Sequence, residues 1–161
     1  LNKLLLFTFI LTLFLTGCDP FEKEAMDFYQ TTKSTNLTRE HVQSISIHSN
    51  ENEIMTVFGK PDTTEEIQDP KSTYLIYDDI EFGLKESKVF RYHFQRNHET
   101  SKGIAIGDKK DKVIREYGQH YYERVEGGNE TVGYFDKDNR LQIEFGFQED
   151  RVVTVIMEEL E

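Results

Sequence analysis

Ile104-Ala105-Ile106-Gly107-Asp108-Lys109-Lys110-Asp111-Lys112-Val113-Ile114-Arg115-Glu116-Tyr117-Gly118 is the stretch from which the fold can be read. Its two isoleucines alternate, as a short strand or extended lead-in requires. Asp108 stands where a helix needs an oxygen for its first free N–H groups. Val113, Ile114 and Tyr117 then recur at helical spacing and form one apolar stripe. Gly118 follows, where the residue past a helix favours the left-handed conformation. A second run of the same kind begins 59 residues earlier. Ile45-Ser46-Ile47-His48-Ser49 precedes Asn50 to Phe58 and then Gly59. Ser49 takes the capping position, Ile54, Val57 and Phe58 the stripe, and Pro61 stops the helix.

The parallel continues downstream. Glu81-Phe82-Gly83-Leu84-Lys85-Glu86-Ser87-Lys88-Val89 matches Glu144-Phe145-Gly146-Phe147-Gln148-Glu149-Asp150-Arg151-Val152. The offset is now 63, and Lys137-Asp138-Asn139-Arg140 takes up the additional residues as a longer hairpin. Phe82 and Leu84, like Phe145 and Phe147, alternate as one face of a strand. Val89 to Phe94 and Val152 to Met157 form the next strands, with Tyr74 to Asp78 and Thr131 to Phe135 before each pair. Within Val89 to Phe94, alternation turns Phe90, Tyr92 and Phe94 toward the helix layer and Val89, Arg91 and His93 outward. The fold class is therefore α+β: two tandem repeats, each a short helix packed on about three antiparallel strands. The repeats span 41–98 and 104–161, and 99–103 connects them.

Short apolar-x-apolar-Gly-Asp lead-ins, helices ending Tyr-Gly or Phe-Gly, and strands carrying Glu-Phe-Gly resemble repeats of the β-lactamase-inhibitor-protein-like superfold. Small envelope lipoproteins of the SmpA/OmlA type share that fold. The resemblance covers roughly residues 42–158, with His48-Ser49 in the first copy where the second has Gly107-Asp108. It implies a helical layer on an antiparallel sheet and binding of partners through exposed sheet or loops. It carries no β-lactamase contact motif over to this chain.

The N-terminus supplies an address. Lys3 precedes Leu4 to Leu15, which carry no charge, and Thr16 and Gly17 precede Cys18, the single cysteine. A positive start, a short apolar core and small residues before a cut are the parts of a secretory signal. The apolar run falls short of the roughly 20 residues a membrane-spanning helix needs. Leu15-Thr16-Gly17-Cys18 resembles the lipobox of bacterial lipoproteins, whose cysteine is acylated and becomes the new N-terminus. Residues 1–17 are thus expected to be a lipoprotein signal peptide, and 18–40 a lipidated cysteine with a flexible tether. Within the tether Phe21 to Gln30 forms a short helix, and Thr31 to Asn36, which lack an apolar residue, form a spacer. Several acyl chains on one residue suffice for stable anchoring. With Asp19 beside it, the cysteine places the protein on the outer face of the bacterial cytoplasmic membrane.

Charge and composition exclude several functions. The net charge is −11, and loss of Lys3 with the signal lowers it to −12. Such a body does not bind nucleic acid by neutralising phosphates. Anionic headgroups repel it too, so the lipid must hold it at the membrane. No cysteine beyond Cys18 is available for a disulfide or a nucleophile. His41, His48, His93, His98 and His120 are scattered without a ligand set, and no cofactor or metal is expected. Asp136 to Arg140 lacks the glycine and terminal glutamate of a calcium loop and reads as a hairpin turn. The chain has neither a Gly-Lys-Ser/Thr phosphate loop nor a Gly-x-Ser-x-Gly elbow. Glu81 and Glu144 occupy equivalent strand positions and mark the solvent face of the sheet.

The expected function is a membrane-anchored envelope lipoprotein acting as a non-enzymatic protein-binding or assembly module. Its partners are the membrane, through acylated Cys18, and another exported protein. The alternative is a small envelope hydrolase using paired carboxylates. Tyrosine and arginine are enriched at binding hot spots, which singles out Arg91, His93, Tyr121 and Tyr122 as the candidate binding surface.

Overall fold

The computed structural model describes residues 23–160. The signal, Cys18 and the start of the expected tether lie outside that range. One eight-stranded antiparallel sheet, in the order β1-β2-β3-β4-β8-β7-β6-β5, organises the chain. Its strands are β1 (Thr63–Gln68), β2 (Lys71–Ile76), β3 (Ile80–Lys85), β4 (Lys88–Phe94), β5 (Tyr122–Glu126), β6 (Asn129–Asp136), β7 (Leu141–Gln148) and β8 (Arg151–Glu159). Helix α1 (Glu51–Phe58) precedes the first four strands and α2 (Lys110–Tyr117) the last four. Each four-stranded meander therefore has one strand more than expected. β1 and β5 escape a pattern search because Thr-Thr-Glu-Glu-Ile-Gln and Tyr-Glu-Arg-Val-Glu carry little apolar alternation. The meanders join along one seam, Arg91–Phe94 of β4 against Val155–Glu158 of β8.

Both helices pack on the same sheet face. Phe58 closes α1 against Phe82 of β3, with ring centroids 5.1 Å apart and planes at 63°. Tyr117 closes α2 against Phe145 of β7 at 5.0 Å and 61°. Tyr77 donates its hydroxyl to the Gly59 carbonyl at 2.9 Å, and Tyr134 donates to the Gly118 carbonyl at 3.0 Å. Each lead-in is pinned alike: His48 N–H donates to Val89 O, and Gly107 N–H to Val152 O. Glu86-Ser87 and Asp150 with Glu149 turn the two strand pairs through the same positive φ angles, 50° and 61° against 50° and 62°. Ile54, Val113, Phe82, Tyr92, Phe94, Ile143, Phe145 and Val155 fill the core between. Full burial of each such side chain contributes about 2–3 kcal/mol. The isoleucine lead-ins form only isolated bridges, Val42 with Ile45 and Glu99 with Ala105, rather than strands.

Both helices begin one residue later than the sequence pattern implied. Asn50, not Ser49, caps α1: its side chain accepts from Glu53 N–H, and Glu53 accepts from Asn50 N–H in return. Lys109 is the N-cap of α2 without a side-chain bond. Asp108 instead folds back, accepting from Ala105 N–H at 2.8 Å and from Lys112 Nζ at 2.7 Å. Gly118 ends α2 at φ 96° and ψ −175°, an extended positive-φ conformation open essentially only to glycine, rather than the left-handed helical one expected. A Cβ there would meet no atom within 4 Å, so the penalty for a side chain is conformational. Gly118→Val should therefore cost about 1–3 kcal/mol, read as a lower melting temperature. An unchanged melting temperature would show that the backbone relaxes freely at this point.

Phe90 does not face the helices. A bulge at Gly83/Leu84 shifts the β3–β4 register, so that Val89, Tyr92 and Phe94 are buried in the core while Phe90 turns to the opposite face. A Cβ on Gly83 would lie 2.9 Å from the Phe90 ring, so glycine is what lets the ring lie flat across the strand.

The expected spacer is packed. Ala25–Phe28 form a single 3₁₀ turn. Thr35 N–H then donates to Phe135 O at 2.7 Å, and Leu37 N–H to Asp136 Oδ2 at 2.9 Å. Leu37 is 1% exposed and joins the core. Its backbone, not an apolar pattern, fastens this segment, because β5 ends opposite Gly133 and leaves the rest of the β6 edge free for Ser34 to bridge.

Candidate protein-binding face

The sheet face away from the helices carries the functional candidates, and it divides into two unlike halves. Over β5, β6 and β7 the N-terminal segment covers it. Phe28 stacks on Tyr122 at 5.2 Å, Tyr122 on Phe135 at 4.7 Å, and Tyr29 meets Phe135 edge-on at 5.1 Å. Glu144, 6% exposed, lies beneath this cover. It accepts the Tyr122 hydroxyl at 2.6 Å and a two-pronged Arg124 guanidinium at 2.8 and 2.9 Å. Burial, and then the charge of Glu144, push the Tyr122 hydroxyl far up, so it stays a donor at any physiological pH.

Over β2, β3, β4 and β8 the same face is open. Phe90 meets Tyr74 edge-on at 6.1 Å, and the Lys85 ammonium stands 4.7 Å over its ring. Arg91 donates to Glu81 at 2.8 Å and approaches Glu158 at 3.7 Å. His93 Nε2 lies 2.8 Å from Thr154 Oγ1. Burial, then the neighbouring Arg91 charge, depress the His93 pKa, so its imidazole is neutral at pH 7. Tyr74, Ile76, Phe90 and Ile156 are half-buried among these polar groups. A groove of about 890 Å³ at the β1–β2 and β3–β4 turn ends is lined by Phe90 on this side and by Leu84, Val89, His48 and Glu51 toward α1. Half-buried aromatics beside a held arginine and a neutral histidine are equipped for recognition; each carboxylate of the stripe is already engaged by a guanidinium.

Four residues were singled out from sequence. Arg91 and His93 lie together on the open half. Tyr122 shares their face but lies under the N-terminal segment, and Tyr121 packs against Tyr134 from the helix side. Cys18 is outside the described residues. Phe90, Tyr74 and Glu158 were missed, the first through the bulge and the others because cross-strand register is invisible in one chain. Arg124 was missed too, because its pairing with Glu144 runs diagonally across β6 and depends on the register of three strands.

The other histidine of note is structural. His98 is wedged between Phe58 and Phe94, with Nε2 3.0 Å from Asp79 and Nδ1 3.2 Å from Gln43. Among the described residues, no three His, Cys, Asp or Glu side chains could hold a metal ion. Asp136, at the start of the hairpin turn expected at 136–140, accepts from Asn139 and Leu37 as a turn residue does.

One buried acid stands apart. Glu40, 3% exposed, sits near Tyr117 and Ser101, and its Oε2 accepts no hydrogen bond from the described residues. Burial raises its pKa above the usual 4.5. A group that binds its proton more tightly when folded loses stability as pH rises through that raised value. Glu40→Gln should therefore melt above the parent at pH 8, with the gap closing toward pH 4. A gap independent of pH would assign the effect to packing instead.

Comparison with solved structures finds this architecture in an extracellular protein containing an SCP domain from Bacillus anthracis, with a TM-score of 0.53 at 15% identity. The chain shares its fold with that protein. The alignment covers 79% of this chain and 49% of the other, so the chain spans about half its length. A candidate β-lactamase inhibitor protein from Streptococcus mutans aligns over 86% of this chain and 99% of its own, at 15% identity and a TM-score of 0.32. No family model and no curated protein sequence matches the chain.

Proposed function

We propose that this protein is a lipid-anchored bacterial envelope module that binds another exported protein through the open half of its outer sheet face, without catalysing a reaction. The division of that face carries the reading. The chain seals one half with its own Phe28 and Tyr29 and leaves the other with Tyr74, Phe90, Arg91 and His93 in reach of a partner. Aromatic anchors with an arginine and a polar rim are the composition of binding hot spots. The carboxylates a hydrolase would need, Glu81 and Glu144, are committed to Arg91 and Arg124.

The anchor rests on Lys3, the apolar run 4–15 and Leu15-Thr16-Gly17-Cys18. From Cys18 to Lys23 the chain reaches at most about 18 Å, so the lipid holds the body close to the outer face of the cytoplasmic membrane. The body itself reads as two tandem repeats, 41–98 and 104–161 joined by 99–103. The aromatic closures, tyrosine-to-glycine bonds and turns that occur once in each half support this.

The test is a photo-crosslinking residue at Phe90 in cells making the full chain, with exposed Lys33 as control position. Crosslinking from position 90 to one discrete exported protein is expected, with the chain in the membrane fraction and Cys18→Ser released from it. Equal labelling from both positions would sink the binding face. Unchanged fractionation of Cys18→Ser, with its acyl label retained, would sink the anchor.

A further inference from the structure

Strand β1 contributes nothing to the core. All six of its residues are exposed. Among the described residues its only hydrogen bonds are those to β2. A regular edge strand presents alternate N–H and C=O groups that another chain can pair with, and proteins usually blunt such an edge with a proline, a bulge or lysines. β1 has none of these. Its six pairs with β2 run without a break, whereas the β3–β4 and β7–β8 ladders each carry a bulge.

Charge is the one guard on this edge, and it has one sign. Asp62, Glu65, Glu66 and Asp69 lie along it, with no Lys or Arg from 61 to 70. None of the four is in an ion pair among the described residues, although carboxylates elsewhere in the sheet are paired with arginines. Like charges placed opposite one another destabilise a strand pair, and opposite charges stabilise it. A second copy of this chain, itself at net charge −11, is therefore repelled from the edge. A basic segment is attracted. Glu65 and Glu66 are consecutive and point to opposite faces of the strand, so an added strand meets one carboxylate on each side.

We infer that β1 is a docking edge for an extended segment of another protein carrying two adjacent basic residues, which adds to the sheet as a ninth strand. Backbone pairing supplies the attachment, and the Glu65–Glu66 pair selects Lys or Arg opposite it. This edge adjoins the groove beside Phe90, which Glu66 also lines, but the inference stands on the backbone and charge of β1 and not on binding at Phe90.

Three capped hexapeptides test the inference on the full chain: Val-Thr-Lys-Arg-Val-Thr, Val-Thr-Gln-Gln-Val-Thr and Val-Pro-Lys-Arg-Pro-Thr. The third keeps the charge but cannot pair as a strand. Amide hydrogen exchange across residues 63–68 is expected to slow with the first peptide alone. The double variant Glu65→Lys with Glu66→Lys, at two exposed positions, should weaken that peptide by about tenfold or more and accept Val-Thr-Glu-Glu-Val-Thr instead. Circular dichroism confirms that the variant is folded. Absence of protection at 63–68, equal binding of the proline peptide, or a double variant that still prefers the basic peptide would each overturn the proposal.

Discussion

Arg124→Ala should remove about 3–5 kcal/mol of stability, because it strips the partner from a buried carboxylate. The side chains of Arg124 and Glu144 are only 14% and 8% exposed, so water does little to screen either one. With the guanidinium gone, Glu144 keeps the Tyr122 hydroxyl and loses two charge-assisted bonds. Urea denaturation reads the loss directly. A companion double variant, Arg124→Met with Glu144→Gln, removes both charges yet leaves an amide oxygen for Tyr122. It should recover most of the loss and sit within about 1–2 kcal/mol of the parent. Arg91→Ala supplies the contrast. Its pair with Glu81 is 22% and 30% exposed and lies on the open half of the face. There the cost should be about 1 kcal/mol or less. Equal losses at the two arginines would mean that the N-terminal segment does not dry the Glu144 site.

Gly133→Ala should be the next most damaging change, at about 2–3 kcal/mol. A Cβ at this position would lie 2.2 Å from Cζ of Tyr122. That ring is hindered from swinging aside, since both Phe28 and Phe135 stack on it and Glu144 holds its hydroxyl. Relief therefore requires the ring to leave its stack and release the N-terminal segment. Limited proteolysis between Lys23 and Lys33 should become faster in Gly133→Ala. Adding Tyr122→Ala to it should add little further loss, because the clash and the stack disappear together. A variant as stable and as protease-resistant as the parent would show that the stack is loosely held.

What could be read from the sequence was whatever sets its own local pattern. Val113, Ile114 and Tyr117 announce a helix by spacing alone, and the Glu-Phe-Gly segments announce strands by alternation. Arg91 and His93 could be assigned to the outer face because Tyr92 between them and Phe94 after them belong inside. Phe90 broke the same rule, since one bulged residue turns the remainder of a strand over. β1 lacks the apolar residues that make alternation visible. The 23–40 segment was illegible for a different reason: Ser34 and Thr35 attach through backbone groups, and Leu37 alone reaches the core. The Arg124–Glu144 pair spans three strands, and nothing within either strand points to the other. The candidate face was thus half legible. Its charged residues on β4 could be placed, while the cover that divides it could not.

The seam between β4 and β8 bears on how this chain is made. β8 is the last of the described strands in sequence but lies at the middle of the sheet, and its partner residues 91–94 are synthesised some 60 residues earlier. Until β8 arrives, the first meander displays β4 as a bare edge with Tyr92 and Phe94 close behind it. Such long-range closure slows folding and leaves an interval in which the wrong strand can add. The emerging chain is therefore most vulnerable to aggregation in the interval before β8, Arg151–Glu159, appears.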